Sequence, residues 1–238
     1  MKSDTKKYYI WITIFGIAMG FLEAIVVVYL REMFYPTGFN FPLAPFPRHL
    51  YLIEIIRELA TIIMLVSIGA IAGKTLPQQF AYFLYSFGIW DIIYYIALKI
   101  FLNWPASLFD WDILFLIPIV WIGPVIAPVI CSLTMIALAV VLISSTEKNI
   151  YFKIKGIDWA FILVGAFFIF ISFIWEYGRL VLFGDVSFWE LFASKDFTSL
   201  QLKLSVFPNR FQWLLYIIGE ILILIDIFKL EIRRLKMQ

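Results

Sequence analysis

Charge is scarce in this chain of 238 residues: Asp, Glu, Lys and Arg make up 15%, against 63% apolar residues, and the mean hydropathy is +0.94. Soluble domains carry about 25% charged residues. So few charges, set among long apolar runs, cannot form the polar surface of a soluble globule. The net charge of +2 is too small to imply nucleic-acid binding. One cysteine, Cys131 within an apolar run, excludes an intramolecular disulfide and a thiolate metal cluster. One histidine, His49, excludes multi-histidine haem, copper and di-iron sites within the chain, and beside Arg48 in a loop it reads as a solvated side chain. There is also no GxGxxG opening a βαβ unit, no P-loop, HExxH, GxSxG, CxxC or EF-hand loop. No cofactor and no resident metal are therefore expected.

What is present is length of apolar chain. A bilayer span needs about 20 apolar residues, and six stretches reach it: residues 9–30, 51–73, 78–101, 113–144, 157–183 and 211–230. These predict an all-α, polytopic six-helix bundle forming a single transmembrane domain over 1–238. The first run follows Lys2, Lys6 and Lys7 but continues past Glu23 to Leu30 without a small-residue cleavage site, which reads as an uncleaved first helix. Of the 19 Lys and Arg, Lys2, Lys6, Lys7, Lys74, Lys148, Lys153, Lys155, Lys229, Arg233, Arg234 and Lys236 fall on the side of the termini. The positive-inside rule then gives a plasma (inner) membrane protein with both termini cytoplasmic.

The connections expected outside are long, aromatic and Pro-rich, at 35–49 and 183–210. Trp and Tyr favour the headgroup zone, so such loops are expected to fold back on the membrane surface, with Phe188-Trp189-Glu190-Leu191-Phe192 as a short interfacial helix. In the fourth run, Pro118, Gly123-Pro124 and Pro128 each interrupt backbone hydrogen bonding. They predict a span broken or re-entrant in its outer half. The pairs Trp90-Asp91 and Trp111-Asp112 are expected to frame the outer mouth, each Asp near water. A faint echo links Glu23, Phe46-Pro47-Arg48 and Glu58 with Glu176, Phe207-Pro208-Asn209-Arg210 and Glu220, and suggests a parallel repeat of helix pairs.

Ionisable groups inside a span are costly unless paired or hydrated, so they mark functional interiors. Glu23, Glu54, Arg57, Glu58, Asp91, Glu176, Arg179 and Glu220 all fall in or near the outer half of their spans, on five helices, with Asp226 deeper. Glu54, Arg57, Glu58 and Thr61 follow i, i+3, i+4, i+7 spacing on one helix face. Asp91, Tyr95 and Lys99 repeat every four residues, as do Ser172 and Glu176, and Trp213, Tyr216 and Glu220 share a face. Gly16 and Gly20 form a GxxxG face one turn from Glu23, where another helix can approach closely. Six carboxylates facing two arginines in a low-dielectric site cannot all stay ionised unless they share a proton or cation.

The pattern predicts one polar chamber open to the outside. Its leading use is transport or binding of a proton, cation or small polar solute, with those eight residues as the binding set, Asp91, Glu58 and Glu23 coordinating or titrating, and Arg57 and Arg179 balancing. A membrane-embedded enzyme acting on a lipid-borne substrate at the outer leaflet would use the same carboxylates as acid and base, and would open sideways between helices. A non-catalytic subunit of a larger membrane complex would use them across an interface. Glu54–Arg57–Glu58 and Glu176–Arg179 also fit self-neutralised structural pairs. The partners expected are the bilayer, the solute, and a second copy or another membrane subunit; nucleic acid is not among them.

Overall fold

A computed structural model describes residues 3–44, 46–149, 151–183 and 210–236. The proposed interfacial helix at 188–192, most of the loop at 183–210, and residues 207–209 of the sequence echo lie outside them. The chain forms α1 (Ser3–Phe34), α2 (Arg48–Ala72), α3 (Leu76–Leu102), a hairpin of β1 (Trp111–Phe115) and β2 (Trp121–Pro124), α4 (Ile126–Lys148), α5 (Gly156–Phe183) and α6 (Trp213–Leu235). Among the described residues, the five helices α1 to α5 are long and apolar enough to cross a membrane. The chain is thus a mostly helical protein of membrane-embedded type. The sixth expected span, α6, is more polar, with Glu220, Asp226 and Lys229 in its first 18 residues.

In the fourth run, expected over 113–144 as a span broken or re-entrant in its outer half, residues 111–124 form an antiparallel hairpin and α4 runs unbroken from Ile126. Trp111 pairs with Pro124, Asp112 with Gly123, Ile113 with Ile122 and Phe115 with Trp121, with a bulge at Leu114. The prolines explain the division. Pro118 lies in the connecting turn, Pro124 ends the second strand, and Pro128 sits in the first turn of α4, where an amide has no helical acceptor to lose. Between them lie β-branched and aromatic residues, which suit a pleated backbone.

Helix α3 is the hub: α1, α2 and α4 pack along it, and α6 joins α4 to α5. Among the described elements, helix α2 packs closely on α3, and its links to α1 and the hairpin turn run through side chains. Close approach is built from glycine. A Cβ on Gly16 would lie 2.8 Å from Ile89, and one on Gly20 would lie 2.8 Å from both Ile93 and the Trp90 carbonyl of α3, so the GxxxG face of α1 meets α3. Gly165 and Gly219 do the same for α5 and α6, each facing the other's carbonyl oxygen. Because α5 and α6 pack together while α1 and α2 do not, the two helix pairs of the sequence echo are not equivalent in the fold.

At the end of the bundle carrying the termini, buried Asp158 of α5 accepts from Arg233 of α6 at 2.5 Å, and Lys229 of α6 reaches both Asp158 at 3.6 Å and Asp226 of its own helix at 3.3 Å. The deep Asp226 therefore belongs to a tie between α5 and α6, far from the hairpin. The close contact at Gly20 predicts that Gly20→Leu pushes α1 off α3 at a cost of about 1–3 kcal/mol. A lowered melting temperature of the purified protein checks this; an unchanged one contradicts the α1–α3 contact.

Candidate functional site

The side chains of α2 organise the opposite, hairpin end. Helical spacing turns Glu54, Arg57, Glu58 and Thr61 to one face, and Glu54, Glu58 and Thr61 are buried. Arg57 donates from Nε to Glu54 Oε2 at 2.7 Å and from Nη1 to Glu23 Oε1 of α1, while Thr61 Oγ1 donates to Glu23 Oε2 at 3.4 Å. One guanidinium thus ties two helices that do not pack on each other. Both Glu58 oxygens accept from the amide of Leu116, at 3.0 and 2.9 Å. That amide lies just past β1 in the hairpin turn, and Glu58 is ten residues into α2, about 15 Å along its axis at 1.5 Å per residue. The hairpin therefore dips alongside α2, its backbone lodged within protein as membrane depth requires.

From α3, Asp91 accepts from Ser132 Oγ of α4 at 2.7 Å, and the Tyr94 hydroxyl donates to Asp112 of β1 at 3.4 Å. Lys99 turns away to the end of its helix and donates to the carbonyls of Pro105 and Asn103, at 2.9 and 3.3 Å. Asp112, expected near water, is only 1% exposed. It is paired with Arg31 of α1, also buried, at 2.8 Å, and that guanidinium lies 3.8 Å from the Trp104 ring centroid and 4.4 Å from that of Phe39. Planar Arg suits such a sandwich because its weakly hydrated face tolerates an aromatic neighbour.

These groups surround a cavity of about 220 Å³. Glu23, Glu54, Arg57, Glu58 and Asp91 line it, together with Arg31, Asp112, the tyrosines 35, 51, 94, 95 and 177, and apolar residues of α1, the 35–46 loop and the hairpin. Beyond the helices, burial pushes the Tyr35 phenol upward against the opposing pull of the Ala44 amide and Arg31, so Tyr35 stays a neutral hydroxyl at physiological pH.

Three of the eight residues singled out from sequence are elsewhere. Glu176 pairs with Arg179 on its own helix at 3.1 Å, and Arg179 is 54% exposed at its side chain. The next residue, Tyr177, turns into the cavity instead, because neighbours on a helix point about 100° apart. Glu220 is held between α6 and α4 by Thr134 Oγ1 at 2.8 Å, the Tyr216 hydroxyl at 3.0 Å and Cys131 Sγ at 3.2 Å. The single chamber expected from five helices thus gathers carboxylates and guanidiniums from α1, α2, α3 and the hairpin, with the Tyr177 phenol from α5.

Arg31 and Tyr177 are among the cavity residues the sequence reading passed over, and Asp112, expected at the outer mouth near water, is buried on the cavity wall. Arg31 follows Glu23 by eight residues, roughly two turns, and so shares its face; at the end of an apolar run it reads as a loop charge. Among the described residues no three His, Cys, Asp or Glu are grouped so as to hold a metal ion. Comparison with family models, curated proteins and solved structures finds no match to this chain.

Removing one partner of a buried pair strands the other's charge, at a cost of about 3–5 kcal/mol. Arg31→Met is therefore expected to lower the melting temperature sharply, and Asp112→Asn in the same chain to restore most of the loss. A single variant as stable as the double would show that the pair does not hold the hairpin to α1.

Proposed function

We propose that the chain is a six-span plasma-membrane protein that binds or transports a proton, cation or small polar solute through the cavity at its hairpin end. Both termini would lie in the cytoplasm, following the Lys and Arg distribution, and the cavity would face outward. One observation carries this reading: five ionisable side chains from three helices, Glu23, Glu54, Arg57, Glu58 and Asp91, line one cavity with Arg31 and Asp112. A protein spends stability on buried charge where function requires it. The surplus of carboxylates over guanidiniums suits proton or cation handling, and Asp91, bonded to the neutral Ser132 hydroxyl, is the carboxylate least tied to a fixed partner.

Among the described helices α2 packs closely on α3 alone, which favours the second reading, a membrane-embedded enzyme with a lipid-borne substrate, because a sideways entry to the cavity would run along such a helix. The carboxylates would then act as acid and base. As a subunit of a larger complex, the chain would present the same helix to a partner.

Reconstitution into vesicles containing a pH-sensitive dye separates these readings. An imposed proton gradient is expected to decay faster with the protein than without it. Asp91→Asn, which keeps the Ser132 contact, should fall to the protein-free rate at an unchanged melting temperature. Wild-type flux in that variant overturns the role of Asp91; wild-type protein no faster than empty vesicles overturns proton movement through the cavity.

A further inference from the structure

The balance of charge and hydrogen bonding on the cavity wall narrows what it takes. Five carboxylates line the space against two guanidiniums, a surplus of three acids. In a poorly solvated interior such a surplus attracts positive charge from outside the chain and repels an anion. The acids also keep acceptor sites to spare. Glu54 gives Oε2 to Arg57 and Asp91 gives Oδ2 to Ser132, while Glu54 Oε1 and Asp91 Oδ1 take no hydrogen bond among the described residues. Neither of these oxygens is among the atoms sealed in protein without a partner, so each keeps accessible surface on a residue that lines the cavity. Glu58 meets a single N–H, that of Leu116, with both its oxygens. A carboxylate offers about four acceptor sites, so the wall has room for a cation that brings hydrogen-bond donors.

A bare inorganic cation fits this wall poorly. Calcium, for one, takes about 6–8 oxygens at one point, whereas among the described residues no three His, Cys, Asp or Glu are grouped so as to hold a metal ion. Between the acids the wall is apolar, with Val27, Leu30, Leu43, Leu114 and Ile119 on it. Nine of the 25 lining residues are aromatic, well above the 19% of the whole chain. One of them, Phe39, already holds a cation, the Arg31 guanidinium, 4.4 Å from its ring centroid. The volume of about 220 Å³ exceeds the roughly 150 Å³ of an apolar cavity that takes up benzene. It therefore admits a ring with a short arm.

Resting on the reading of the cavity as a binding site, we infer that its ligand is a protonated organic amine, with the ammonium head donating to the open oxygen of Asp91 and a small aromatic or alkyl body lying against the apolar and aromatic wall. The head supplies the charge and donors that the acids lack; the body covers surface that a hydrated ion would leave unsatisfied.

Equilibrium binding of tritiated 2-phenylethylamine to the full chain in detergent, at neutral pH where the amine is protonated, tests this. Saturable binding is expected, displaced by the unlabelled amine and by hexylamine. Displacement should be at least tenfold weaker with 2-phenylethanol, which lacks the charge, with 3-phenylpropanoate, which reverses it, and with methylamine or sodium ion, which lack the body. Asp91→Asn should weaken binding at least tenfold at an unchanged melting temperature. Equal displacement by 2-phenylethanol or 3-phenylpropanoate overturns the cationic head. Equal displacement by methylamine or sodium ion overturns the apolar body and leaves the cavity as a site for small cations. Wild-type affinity in Asp91→Asn overturns the placement of the head. Absence of saturable binding overturns the inference altogether, while proton flux lost in Asp91→Asn would still support the cavity's role.

Discussion

A guanidinium inside a helix bundle must find carboxylates or destabilise everything around it, and Arg57 finds them on two helices. Its bonds to Glu54 and Glu23 span α1 and α2, which otherwise meet mainly through α3. Neither helix can slide along α3 without stranding a charge in a poorly solvated interior. The arrangement also explains the glycines of α1. With Gly16 and Gly20 pressed against Ile89, Trp90 and Ile93, Glu23 comes close enough to the α3 face of the bundle to meet Arg57 beside it.

The hairpin depends on the same residues at one remove. Non-helical backbone beside membrane-spanning helices needs protein partners for its amides, and Glu58, one position after Arg57, supplies one at Leu116 while Arg31 grips Asp112 at the other end of the strand. Aromatic packing completes the support: Trp121 stacks on Phe173 of α5 with ring centroids 6.3 Å apart, and its indole donates to the Ile117 carbonyl at 2.7 Å. The cavity is the space left between a helix pair held apart and a hairpin wedged beside it.

Much of the helix layout and about half of the site were legible in the sequence, for identifiable reasons. The face formed by Glu54, Arg57, Glu58 and Thr61 follows from helical period alone, and the GxxxG contact follows from residue size. The hairpin was not legible, because an apolar run of helix length fits either conformation and the choice rests on distant partners, Glu58 and Phe173. Glu176 and Glu220 share the period of inward stripes, but period does not say which neighbour a stripe faces: one pairs on its own helix, the other on α4. Arg31 was hidden by its place at the end of a run, where arginines more often meet water than a buried aspartate.

Groups placed this way combine excess acid and apolar wall in one space, with α1 and α2 linked beside it through Arg57. The most direct measurement is a double-mutant cycle on Glu23→Gln and Arg57→Gln, read by unfolding of the purified protein. Side chains in contact show coupling of about 0.5–3 kcal/mol, whereas distant ones add. The account predicts a double variant clearly more stable than the sum of the two single losses; strict additivity would contradict it.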